Sequence, residues 1–142
     1  MPEKIFTLAE ATSLLPVLES LLRSAISAKN EVQSADAEFR ELAQQIQKSG
    51  GMGVNVKRWA LRRAERERAM QRIKDALEEI GAAGVQVKDL DIGLLDFPFL
   101  LDGSIVLLCW KLGESAITHW HGVSEGFAGR KPIDGRFTGG NA

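Results

Sequence analysis

One cysteine stands among the 142 residues of this chain. A lone thiol has no partner within the chain, so an internal disulfide is excluded and a reducing compartment, the cytoplasm, is expected. No uncharged stretch approaches the roughly 20 residues that a membrane-spanning helix needs. A signal peptide is not expected either, because Glu3, Lys4 and Glu10 interrupt the apolar run it would require. Nor is there an excess of charge. With 18 basic and 19 acidic residues the formal net charge is −1, which gives no global pull towards nucleic acid or an acidic membrane. H-E-x-x-H, the nucleophile elbow and G-x-x-x-x-G-K-[ST] are all missing, so the common metalloprotease, hydrolase and nucleotide-binding signatures are absent.

What remains is an ordinary globular composition, 44% hydrophobic and 26% charged, with enough length to bury roughly two thirds of the unfolded surface. Its organisation is expected to be one domain over residues 1–134, with a helical hairpin at 7–83 and a β-meander at 85–134. Residues 135–142 are expected to form a disordered tail.

Thr7-Leu8-Ala9-Glu10 reads as a capping box opening a helix from about residue 8 to about 48, on the order of 60 Å long. Its seam is Leu18, Leu21, Ala25, Ala28, Val32, Ala35, Phe39, Leu42 and Ile46, the 3-4 spacing of a coiled coil. Pro16 is expected to kink the helix. Leu14, Leu15, Val17 and Leu18 are apolar on more than one side, as a segment buried against a sheet would be. Ser49-Gly50-Gly51-Met52-Gly53-Val54-Asn55 ends this helix, and Asn55 caps a second one over about 56–82. The second seam is Trp59, Met70, Ile73, Leu77 and Ile80, with Arg63 and Arg66 where apolar residues would be expected. An antiparallel hairpin with a projecting glycine-rich tip follows. The basic cluster Lys57, Arg58, Arg62, Arg63, Arg66 and Arg68 either holds an anion at the helix N-terminus or forms a solvated face. The preferred reading is the solvated face, paired within the helix (Arg63 with Glu67, Glu65 with Arg68) and with Glu31, Glu38 and Glu41 across the hairpin.

Beyond Gly81 and Gly84 the period changes to that of strands: Val85–Lys88, a strand from Leu94 with Pro98 at an edge or end, a central strand Ser104–Leu112, and Ala116–His121. The fold expected is α+β, a long coiled-coil-like hairpin packed on an antiparallel meander of three to four strands.

The stretch from Asp89 to Asp134 holds both histidines, the cysteine and two of the three tryptophans. His119-x-His121 puts two imidazoles on one strand face, a common beginning of a zinc, nickel or iron site. Glu114 and Glu125 flank that strand, and Asp89, Asp91 and Asp96 lie in the other half of the meander. Glu125, four residues past His121, is placed to be a ligand or to fix the histidine tautomer. If Gly113-Glu114 is a two-residue turn, Cys109 faces Thr118, on the side away from the histidines, and is a small buried hydrophobe. A three-residue loop would instead bring it opposite His119. Arg130 sits in a glycine-flanked position suited to a bidentate grip on a carboxylate or phosphate. The bland alternatives are histidines satisfied by backbone carbonyls, Trp110 and Trp120 as core, Asp96 bonded within its own turn, and Arg130 paired with Asp134.

These residues also carry a resemblance. Thr7–Ala11 with Leu14-Leu15-Pro16, Val87-Lys88-Asp89-Leu90, Gly93–Pro98, Cys109–Glu114, Trp120-His121 and Gly126–Arg130 together resemble the DUF2203 family of small bacterial proteins, which is defined without an assigned reaction. The resemblance covers nearly the whole chain and implies an intact cytoplasmic protein. It directs attention to Asp96, Cys109, Trp110, Glu114, Trp120, His121 and Arg130. The chain departs from the family pattern at Gly122, where an acidic residue is usual, and at His119, where an aromatic is. If the family shares a site, the resemblance makes His121 its histidine, with Glu114, Asp96 and Arg130 as neighbours.

Three functions compete. The first is a binding or interaction module that self-associates through its helices, as a dimer, with a small polar ligand or metal pocket around His121; its ligand-binding candidates are Asp96, Trp110, Glu114, Trp120, His121 and Arg130. The second is a metal-dependent, hydrolase-like enzyme with His119 and His121 on the metal and Glu125 or Glu114 as general base. Nucleic-acid binding through the basic start of the second helix ranks last, since among aromatics only Trp59 interleaves the cluster.

Overall fold

The computed structural model describes residues 4–138 and contains two long helices followed by a five-stranded antiparallel sheet. Helix α1 spans Leu8–Ser49 and α2 spans Val56–Ala82. Both start where the sequence places a cap. Thr7 and Glu10 exchange the reciprocal bonds of a capping box, Glu10 N–H to Thr7 Oγ1 at 3.0 Å and Thr7 N–H to Glu10 Oε1 at 2.8 Å. The Asn55 carboxamide accepts from Arg58 N–H at 3.0 Å. Helix α1 runs unbroken through Pro16. No described helix is long and apolar enough to cross a membrane.

The chain divides into two compact units: residues up to Arg23 together with those from Leu77 on, and Ser24–Ala76. In the second unit the helices pack through small side chains. Ala28, Val32 and Ala69 form a buried cluster with Ile73 against it, and Ala25, Ala35 and Ala76 are buried too. The seam of α2 therefore runs through Ala69 and Ala76, and Met70, expected on it, is exposed. Arg66 is a polar member of the seam as expected, and Arg62 takes the place of Arg63. Arg62 grips Glu38 and Arg66 bonds Asp36, while Arg72 reaches Glu31. The basic cluster is thus largely engaged in ion pairs, including Arg63 with Glu67.

In the first unit the strands are β1 (Gln86–Asp89), β2 (Leu94–Leu101), β3 (Ser104–Lys111), β4 (His119–Gly122) and β5 (Lys131–Pro132), joined in chain order. Opposed residues of an antiparallel pair share a face, so the register sorts the side chains. One face carries Leu95, Phe97, Phe99, Val106, Leu108, Trp110 and Trp120; these pack with Phe6, Ala11, Leu15, Leu18, Leu22, Ile80 and Val85 into the main core. Leu15 and Leu18 are buried there as expected, whereas Val17 points outward. Pro98 lies beyond the reach of β1, whose pairing ends at Asp96, and its carbonyl accepts from Phe6 N–H at 2.8 Å. It therefore occupies a local edge where no ladder donor is needed.

Two expectations are corrected. The first concerns the tail: Gly135–Phe137 forms a 3-10 turn capped by Asp134, and Phe137 is fully buried against Phe99 and Trp120. Gly139–Ala142, the remainder of that stretch, lie outside the described residues. The second concerns register. Gly113-Glu114 does not make a two-residue hairpin turn; the connection from β3 to β4 occupies residues 112–118, an odd length. The Glu114 carboxylate accepts from Lys111 N–H at 2.7 Å and its carbonyl from the Trp110 indole at 3.0 Å, which folds the chain back before the strand can continue. Parity is reversed, and Cys109 stands opposite His119.

Candidate functional site

The second face of the sheet carries Leu94, Asp96, Pro98, Leu107, Cys109, His119 and His121. Asp96 and His121 are the buried polar or charged residues of the described chain, at 0% and 3% exposure. Asp96 is opposite Cys109 on the neighbouring strand, and His121 is one pair further along, opposite Leu107. Three donor groups thereby converge: one carboxylate oxygen of Asp96, Sγ of Cys109 and a ring nitrogen of His121 all lie within 4.8 Å of one another.

Hydrogen bonds fix the state of this cluster. His121 Nδ1 is 2.8 Å from the Gly122 carbonyl oxygen, which can only accept, so Nδ1 carries a proton. Nε2 then faces both oxygens of Asp96 at 3.1 Å. Two lone pairs would repel at that distance, so one proton is shared between Nε2 and the carboxylate. Burial pushes the Asp96 carboxyl above its ordinary range, opposed by the charge and hydrogen bond of His121. The Cys109 thiol donates to Asp96 and is pushed up to about 12, first by burial and then by the Asp96 charge. Without a metal it is a thiol, which leaves it unfit as a nucleophile.

An irregular segment covers the cluster. After His121 the chain turns through Gly122–Gly129 and closes a cleft of about 150 Å³, with Asp96 and His121 at its base and Lys88, Val123, Glu125 and Phe127 on its walls. Glu125 anchors this segment. Its Oε1 accepts from Gly122 N–H at 2.8 Å and from Lys131 Nζ, and the Lys131 ammonium holds its carboxyl below the usual range. A Cβ at 122 would sit 2.9 Å from Glu125 Oε1 and one at 129 would sit 3.1 Å from Glu125 Cβ, so both glycines make room for this side chain. Because Gly122 also accepts from His121 through its carbonyl, Glu125 and the imidazole are linked through the backbone of one residue.

The family model described as "Uncharacterized conserved protein (DUF2203)" matches residues 4–133. The chain belongs to the DUF2203 family. No curated protein and no solved structure matches it. The Glu125 carboxylate lies against Gly122, the position at which the sequence departs from the resemblance.

Other sequence candidates fall elsewhere. Arg130 pairs with Glu114, one guanidinium nitrogen 2.9 Å from each carboxylate oxygen, and stacks on Phe127 with its central carbon 4.7 Å from the ring centroid. It also donates to the Cys109 carbonyl at 3.3 Å, so this pair braces the strand beside the cluster. Asp134, its expected surface partner, binds Arg136. Trp110 and Trp120 belong to the apolar face. His119 shares the face of the cluster, but its Nδ1 lies 2.8 Å from Thr118 Oγ1 and the ring is not among the converging donors. Of the expected ligands His119, His121 and Glu125, only His121 is in the group, and Cys109 and Asp96 supply the other atoms. The signal for Cys109 was its spacing from His119, legible only under an odd-length loop.

Proposed function

We propose that this protein is a binding module whose working site is a divalent transition-metal centre formed by Asp96, Cys109 and His121. The convergence of the three donor atoms within 4.8 Å carries the reading. Two further features support it. His121 donates Nδ1–H to a backbone carbonyl, the bond that ordinarily orients a metal-ligating imidazole and leaves Nε2 free to coordinate. The charge also balances. The apo cluster holds two exchangeable protons, one shared by Asp96 and His121 and one on Cys109. A divalent ion that displaces both leaves the buried net charge unchanged, avoiding the large cost of an uncompensated buried charge.

A carboxylate, thiolate and imidazole suit zinc, with nickel and iron as further candidates; three protein ligands leave one position open. An open position is also what a metal-dependent hydrolase needs. Glu125 is poorly suited to be its general base, since its carboxylate is committed to Lys131 and Gly122. Binding is therefore the stronger reading. Metal content of untagged protein, measured by mass spectrometry beside His121→Ala, tests it: about one equivalent in the parent and none in the variant is expected. Metal-free parent protein that takes up no added zinc contradicts it.

Self-association through the helices is the second part of the reading. Ile46, Met52, Val56 and Leu61 leave apolar surface on the hairpin exposed, Met52 at 84%. Sedimentation velocity across a hundredfold concentration range tests this, and a constant monomer mass would sink it.

A further inference from the structure

Resting on the metal centre just proposed, we infer that its open position takes a short aliphatic carboxylate that enters through the cleft under residues 122–129. Once the ion has replaced two protons, Asp96, Cys109, His121 and the metal sum to zero. Two other charged residues line the cleft, Lys88 and Glu125. Glu125 is neutralised by Lys131. Lys88, on β1 at the rim, forms no ion pair among the described residues, so the cleft has one positive charge to spare and favours an anion.

Size and wall chemistry narrow the anion. A volume of about 150 Å³ is on the order of a cavity that holds one benzene ring, about six non-hydrogen atoms. Leu94, Leu107, Val123 and Phe127 supply apolar walls above the polar base formed by Asp96 and His121. A carboxylate head on the metal and near Lys88, with two or three carbons against those walls, matches both the charge and the space. A fully polar oxyanion would lose water against the apolar walls without replacement hydrogen bonds. A six-carbon chain would exceed the volume.

The experiment uses cobalt(II)-loaded full-length protein, whose visible absorption reports the coordination of the ion directly. Propionate, inorganic phosphate and hexanoate are titrated separately into the parent and into Lys88→Gln. The expected result is a saturable spectral change with propionate, at least tenfold weaker with phosphate or hexanoate, and about tenfold weaker for propionate in Lys88→Gln while cobalt affinity is retained. A cobalt spectrum that propionate leaves unchanged overturns the ligand inference alone. So does phosphate binding as tightly as propionate, which marks an inorganic-anion site. Failure to bind cobalt through the Cys109 thiolate overturns the metal centre and this inference together.

Discussion

The two faces of the sheet are built from the same three strands and obey opposite rules. On one, Phe97, Leu108 and Trp110 meet α1 and the Phe137 turn in a wholly apolar contact, which depends on volume and shape. On the other, Asp96, Cys109 and His121 are equally buried, yet they lie under an irregular segment and are held by hydrogen bonds and proton sharing. A stable domain has no need to bury a carboxylate and an imidazole where leucines would fit, and buried polar networks often cost stability relative to apolar packing. The second face is therefore where the chain departs from what folding alone asks, and departures of that kind mark functional sites.

Substitutions that act on one face and spare the other test the comparison. The largest effect is expected at Phe137. Truncation to Ala leaves a cavity beside Phe99 and Trp120 and should cost about 3–5 kcal/mol in denaturant unfolding, with the zinc affinity of the folded fraction unchanged. Next comes Cys109→Ala. The parent should gain about 2.7 kcal/mol of stability when free zinc is a hundredfold above its dissociation constant, and the variant should gain nothing. Equal zinc stabilisation of both proteins would detach the thiol from the site. A smaller change is expected for Glu125→Gln, which removes the Lys131 ion pair that holds residue 125 against Gly122, whose carbonyl orients His121: zinc affinity should fall about tenfold, with the ligands themselves intact. The smallest is His119→Ala. His119 shares the face without joining the cluster, and zinc affinity should change by no more than about twofold, within the usual range for a substitution away from the site. A His119 effect as large as that of His121 would restore the H-x-H pair as the ligand set.

The same contrast explains what was legible in the sequence. The helices announced themselves through local chemistry, the Thr7/Glu10 box, the glycine loop and the Asn55 cap, and their bounds agree with the structure within a residue or so. The apolar core of β2 and β3 was readable from continuous hydrophobic runs. His121 stood out through the H-x-H spacing, and both it and Asp96 through the family resemblance. Cys109 was misplaced because turn propensity alone does not set loop length: the Glu114 carboxylate bonds back to Lys111 and the loop is odd rather than even, which moves every facing residue to the other side. Phe137 was missed because one aromatic in a glycine-rich stretch has no periodicity; its burial depends on Phe99 and Trp120, far away in sequence. The two-residue β5 is too short to leave a pattern at all.

The proposed metal centre depends on one exchange, a divalent ion for two buried protons. Calorimetric titration of metal-free protein with zinc, repeated at fixed pH in buffers of different ionisation enthalpy, counts those protons directly. One equivalent of zinc releasing about two protons, with affinity falling about hundredfold for each unit drop in pH, is the predicted result. Zinc that binds without releasing protons, or that binds Cys109→Ala as tightly as the parent, would contradict it.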